Sequence, residues 1–202
     1  MCGCIWRKLK RDRWVVGGRV LVACVLAGLA GWCPTRGKAG QTEASNEYAL
    51  KAEFLFHFAQ FVEWPASAFE ATSSRFVYCT TGTDPFHGAL ETTLSGKTAE
   101  GRGFEVRHLK QAREAQGCHI LFIGREQEKQ SSQAVWQLQG TPVLIVGESA
   151  GFVERGGLIG FSVEESKVRF EINLEAAEKS KLKISAKLLA LAKTVIGVPK
   201  RG

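Results

Sequence analysis

Two apolar runs, the first broken only by His119, constrain this chain most. Residues 118–123 read CHILFI, and residues 143–146 read VLIV, opened by Thr141-Pro142. Each has the length of a strand. Neither shows the alternation of a half-exposed strand, which suits strands covered on both faces. Between them, Glu126 to Gln139 has the length and mixed polarity of a helix, with Val135, Trp136 and Leu138 directed to the core. Two buried strands joined by a helix make a βαβ unit. The expected fold class is α/β: a single domain with a mixed, mostly parallel sheet flanked by helices on both faces.

The flanking sequence fills in this frame. Leu50, Phe54, Phe58 and Phe61 recur at helical spacing, with Leu55 and Val62 beside them, and Pro65 stops the pattern. Ser45 and Asn46 offer N-caps for that helix, from Tyr48 to Trp64, with Glu47 near its positive end. Arg75 to Thr80 and Gly103 to Leu109 read as strands. Asp84-Pro85 reads as the start of a helix over Phe86 to Leu94, and Lys110 to Gln116 as a polar helical stretch. After the glycine-rich loop Gly151 to Gly157, Leu158 to Val163 and Val168 to Leu174 read as a hairpin turning at Glu165-Ser166. Within it Arg169 and Glu171 lie on one face. The last element reads as a helix, with an apolar face of Leu182, Leu188, Leu189, Ala192, Val195 and Ile196.

The formal charge of +7 suggests a nucleic-acid binder until it is located. Residues 1–39 hold eight of the 27 Lys and Arg residues and one of the 20 acids, which leaves nineteen of each in 40–202. The expected domain has no net positive field to draw in phosphate, so no nucleic-acid partner is expected. The charge belongs to a leader. Arg7 to Arg13 form a basic segment, and Val20 to Ala30 is an apolar run too short for a comfortable membrane span. Ala39 is a small residue at a cleavage position. Residues 1–39 are therefore read as a signal peptide; extending the apolar run back past Arg19 would instead make an uncleaved anchor. Residues 40–46 read as a linker and 47–198 as the domain. Leu21-Val22-Ala23-Cys24 has the form of a lipoprotein cleavage box, but almost no apolar stretch precedes it.

Four of the six cysteines lie in the leader, leaving Cys79 and Cys118 in two expected strands. A lone pair in an exported chain suggests a disulfide, the alternative being two buried thiols. No metal or cofactor is expected, because the chain has no CxxC, HxxxH, GxGxxG, GxSxG or phosphate-loop motif. His57, His87, His108 and His119 are scattered, and no nucleophile and base share a motif. The chain is therefore read as non-enzymatic. Phe152 in the glycine-rich loop, with Arg169 and Glu171 on the exposed strand face, are the candidate contacts for a ligand or partner. An α/β layout places clefts at the carboxyl ends of its strands, so a small-molecule binding module is the alternative reading.

A run of short stretches carries a resemblance. KAEFLFHFAQFVEWP (51–65), GTDPF (82–86), CHILF (118–122), Pro142-Val143-Leu144, Gly151-Phe152, Gly156-Gly157, VRFEINL (168–174) and ISAKLL (184–189) together resemble the YfiR-like family, in order, over residues 47–196. The resemblance implies a periplasmic α/β protein that represses a membrane-bound diguanylate cyclase through its periplasmic region, lowering cyclic di-GMP and biofilm formation. It also implies a homodimer and an outer-membrane lipoprotein that can sequester the repressor. A sensor histidine kinase is the alternative receptor. Cys79 and Cys118 match the family's shared cysteine pair. The second pair of some members has no counterpart between Gly147 and Glu154.

Overall fold

The computed structural model describes residues 39–71 and 74–197. The leader reading falls outside these residues but for Ala39. Chain order begins with α1 (Ala39–Phe61), β1 (Val62–Glu63), β2 (Phe76–Thr81), α2 (Ala89–Leu94), β3 (Phe104–Leu109), β4 (Ile120–Ile123), α3 (Glu128–Leu138) and β5 (Leu144–Gly147). It continues with β6 (Ile159–Glu164), β7 (Lys167–Asn173), α4 (Leu174–Lys179), β8 (Lys183–Ile184), α5 (Ala186–Leu191) and β9 (Thr194–Ile196). Seven strands form one sheet in the order β3-β2-β4-β5-β6-β7-β9. Every neighbouring pair is parallel except the β6–β7 hairpin. A separate two-stranded ribbon pairs β1 with β8.

The two apolar runs lie side by side as the central strands β4 and β5, wholly buried. Alternation along the strands decides which side chain meets which helix. Tyr78, Phe122, Phe161 and Phe170 point to the α1 side. There the Tyr78 hydroxyl donates to the Leu55 carbonyl at 3.0 Å, and Phe54 and Phe58 pack on Phe161 and Phe170. Ile145 points the other way, into a groove shared with Val135 and Trp136 of α3. Helices therefore cover both faces, and the α/β expectation holds.

Several boundaries differ from the sequence reading, each for a local reason. Helix α1 begins at Ala39, so residues expected as linker are helical. No proline interrupts them, and Glu47 pairs with Lys51 one turn on. Leu50 proves exposed, while Ala52, Leu55, Phe58 and Ala59 form the buried stripe. Asp84 caps a turn rather than a helix. Its Oδ1 accepts from the Phe86 N–H at 3.0 Å, and left-handed Gly88 delays α2 to Ala89. Trp136 is 76 % exposed, because the core face of α3 is Ser131, Ala134 and Leu138, to which residue 136 does not belong. The expected last helix breaks into three pieces. Extended Ala192 ends α5, the Lys193 N–H donates to the Phe170 carbonyl, and Thr194-Val195-Ile196 pairs with β7 as an edge strand. A β-branched run beside an open sheet edge favours pairing over helix.

Cys79 and Cys118 form a disulfide with Cα atoms 6.0 Å apart. Both are buried on the sheet. The bridge ties the start of β4 to β2 across the whole excursion through α2 and β3.

Candidate functional site

Strand β2 leads through α2 to β3 on one side of the sheet, and β4 leads through α3 to β5 on the other. Between the ends of β2 and β4 the strand order therefore reverses, which is where open α/β sheets form a crevice. A cleft of about 1080 Å³ lies there. Its walls include Thr81 at the end of β2 and Thr83 beyond it, Gly124 and Arg125 after β4, Glu148 after β5, and Tyr48 of α1. Gly82 permits the close approach: its φ is +72°, and a Cβ there would stand 2.4 Å from the Gln127 amide nitrogen.

The wall behind the cleft is charged and sealed. Lys51 is 0 % exposed and Glu148 1 %, and their ammonium and carboxylate are in direct contact. Lys51 also reaches Glu47 Oε1 at 2.5 Å and lies 4.5 Å from the centre of the Tyr48 ring. The Tyr48 hydroxyl and the Arg125 backbone N–H both donate to Glu148 Oε1, at 2.9 and 2.8 Å. Burial alone would raise the Glu148 pKa. Lys51 and these donors outweigh it and hold the carboxyl below its ordinary range. Tyr48 is pushed the other way, by burial first and then by the Glu148 charge, so it stays protonated and donating.

This arrangement limits what the cleft accepts. The backbone N–H at the start of the helical segment after β4 is where switch-point folds commonly hold a ligand's anion. Here the protein's own Glu148 carboxylate fills that place. Asp84 and Glu126 add further negative charge to the walls, against Arg125. Thr81 lines the cleft and is 2 % exposed as a residue; its hydroxyl is closed off from solvent and has no hydrogen-bond partner among the described residues. A buried hydroxyl left in that state invites a polar ligand atom.

The residues singled out from sequence are not gathered at this cleft. Phe152 is 3 % exposed and belongs to the core; Cβ atoms built on Gly147 and Gly157 would fall 2.5 and 2.1 Å from its ring. The glycines of that loop therefore make room for a phenyl ring, which is a packing role. Arg169 and Glu171 do share a face of β7, on the side away from α1. Arg169 is exposed there, and Glu171 lies 3.7 Å from Lys193. His119 is structural. Its Nδ1 accepts from the Val77 N–H at 3.0 Å, its Nε2 faces the Ala68 carbonyl at 3.1 Å, and its ring stacks on Phe69. Lys51, Tyr48, Thr81 and Glu148 were not found from sequence, since Lys51 and Glu148 stand 97 residues apart.

Comparison with known proteins follows the fold. Two solved structures show limited likeness. One is described as the ABC domain in complex with L-Trp from Streptococcus pneumoniae: 13% identity, TM-score 0.44, covering 60% of this chain and 55% of that one. The other is a conserved domain protein from Vibrio cholerae: 10% identity, TM-score 0.48, covering 73% of this chain and 60% of that one. The chain thus spans less than two thirds of either. A family model is decisive where these are not: it matches residues 48–193, from Tyr48 on the cleft wall to the turn before β9. The chain belongs to the YfiR/HmsC-like family.

Proposed function

We propose that the protein is a periplasmic regulator of cyclic di-GMP signalling, which represses an inner-membrane diguanylate cyclase by binding its periplasmic region. The observation that carries this reading is the family match over residues 48–193. The buried disulfide suits an oxidising compartment, and no helix of the described residues is long and apolar enough to cross a membrane. The charged cluster supports a non-catalytic role. Lys51 and Glu148 are sealed from solvent and spent on each other, so neither is placed to move a substrate proton. Repression is then a population shift: the domain binds one state of the receptor better than the other and holds it there. The exposed face of β7, with Arg169 and Glu171, is the proposed partner contact. A homodimer and a sequestering outer-membrane lipoprotein complete the scheme. Deleting the gene tests it; cyclic di-GMP and surface attachment should rise, and unchanged levels would oppose it.

A second reading rests on the cleft. Its unpartnered Thr81 hydroxyl and negative walls suit a small neutral or cationic polar molecule, with a sensor kinase or cyclase as the receptor informed. A thermal-shift screen of small polar metabolites should find stabilising compounds whose effect is lost in Thr81→Val. A screen without hits would count against this reading.

A further inference from the structure

Three residues that are distant in sequence meet beside β3. Asp84 sits in the loop after β2, Glu91 on α2 and His108 on β3, and the β2-α2-β3 unit folds them together. Each offers one ligand atom, and these atoms all lie within 4.8 Å of one another. His108 Nε2 and Glu91 Oε1 are 3.0 Å apart.

Two details go beyond proximity. The other ring nitrogen, His108 Nδ1, is held 2.8 Å from the hydroxyl of Thr80, a buried residue. That contact fixes the ring and leaves Nε2 to face the two carboxylates, as the outer hydrogen bond of a metal-bound histidine does. The second oxygen of Glu91, Oε2, is shut off from solvent and has no hydrogen-bond partner among the described residues. Oε1 meets His108 Nε2, so Oε2 is the Glu91 oxygen still able to take a ligand.

We propose that Asp84, Glu91 and His108 form a site for a divalent transition-metal ion of the zinc class. The imidazole selects such ions over magnesium and calcium, which prefer oxygen donors alone. Tetrahedral zinc, with bonds of about 2.0–2.2 Å, sets its ligand atoms roughly 3.4 Å apart. The His108–Glu91 pair is already near that spacing. Asp84 needs to close by about 1.4 Å at most. It is held in place by accepting from the Phe86 and Gly88 N–H groups, and each carboxylate oxygen keeps a second lone pair. With three protein ligands at a surface position, the fourth place goes to water or to a group from a partner. Because Asp84 also lines the cleft, a bound ion would tie the cleft rim to the edge strand. The proposal stands independently of the regulatory reading.

The test is zinc titration of the chelator-stripped protein by calorimetry, with melting temperature followed in parallel. We expect one Zn²⁺ per chain at micromolar affinity, a raised melting temperature, and no effect of Mg²⁺ at the same concentration. His108→Ala and Glu91→Gln should each weaken binding about tenfold or more. His108→Ala also leaves the buried Thr80 hydroxyl unpaired, so its metal-free melting temperature should fall, whereas that of Glu91→Gln, a part-exposed side chain, should match the parent. His57→Ala, remote in sequence and exposed, should bind as the parent does. The proposal is overturned by no saturable binding below about 100 µM Zn²⁺, or by affinity within twofold of the parent in the His108→Ala/Glu91→Gln double variant.

Discussion

Removing the disulfide tests how the fold is held. The bridge joins residues 39 apart, and the segment it closes contains α2 and β3, the edge of the sheet. Cross-linking a loop of that size withdraws conformational freedom from the unfolded chain, worth about 4 kcal/mol in the chain-entropy account. For a domain of roughly 150 residues, each kcal/mol moves the melting temperature by about 2–4 °C, so the loss should be about 8–16 °C. Replacing both cysteines, Cys79→Ala/Cys118→Ala, leaves no stray thiol to react. Guanidinium denaturation followed by circular dichroism should show the lower midpoint. It should also show a steeper dependence on denaturant, since the unbridged chain expands further when unfolded. Both half-cystines are buried, so dithiothreitol should act only as fast as the region opens. A loss under about 1 kcal/mol would refute the reasoning, because the loop term would then be absent.

Three further outcomes follow from the same packing. Lys51→Met should destabilise the domain by about 3–5 kcal/mol by stranding the Glu148 charge, and Lys51→Met/Glu148→Gln should recover part of that loss in the same denaturation assay; an additive double variant would contradict the coupling. Gly157→Ala should lower stability by about 1–3 kcal/mol through collision with Phe152, and Phe152→Leu should relieve the collision, which a double-mutant cycle would register. The third concerns pH. Burial, followed by the nearby Arg102 and Arg107 charges, depresses the His119 pKa against the opposing Ala68 contact. The unfolded chain therefore takes up a proton near pH 6.5 that the native state refuses. Stability should fall as pH drops below about 6.5, by up to about 1.4 kcal/mol per unit, until the native ring also protonates. Glu148, whose pKa is also depressed, adds a loss at lower pH, below the ordinary range for glutamate. Denaturation midpoints that stay flat between pH 7 and 5 would contradict the assignment for His119.

The elements that sequence revealed are those whose burial imposes a period. CHILFI and VLIV were legible by their length and lack of alternation, which suit covered strands, and the alternation of Val168, Phe170 and Ile172 set the face of β7 correctly. Two cysteines in a domain read as exported pointed to their bridge. The errors arose where local pattern competed with something distant. Thr194-Val195-Ile196 carried a strand signal in its β-branched side chains, but it became a strand only because β7 offered an edge. Trp136 is expected toward the core with Val135 and Leu138, yet helical spacing places it outside the stripe of Ser131, Ala134 and Leu138. The candidate cleft was foreseen as a location, since α/β sheets open at strand ends, but its residues were not. Lys51 carries no signal of its own in the sequence, because its partner Glu148 arrives only when β5 docks beside β4. Asp84, Glu91 and His108 likewise share no motif and meet only through the β2-α2-β3 turn of the chain.

The account as a whole depends on regulation from outside the cytoplasm. The most direct measurement is intracellular cyclic di-GMP in a strain lacking the gene, complemented either with the full chain or with a version lacking residues 1–39. The account predicts that cyclic di-GMP rises on deletion, that the full chain restores it, and that the leaderless version does not. Equal rescue by both versions, or no rise on deletion, would contradict it.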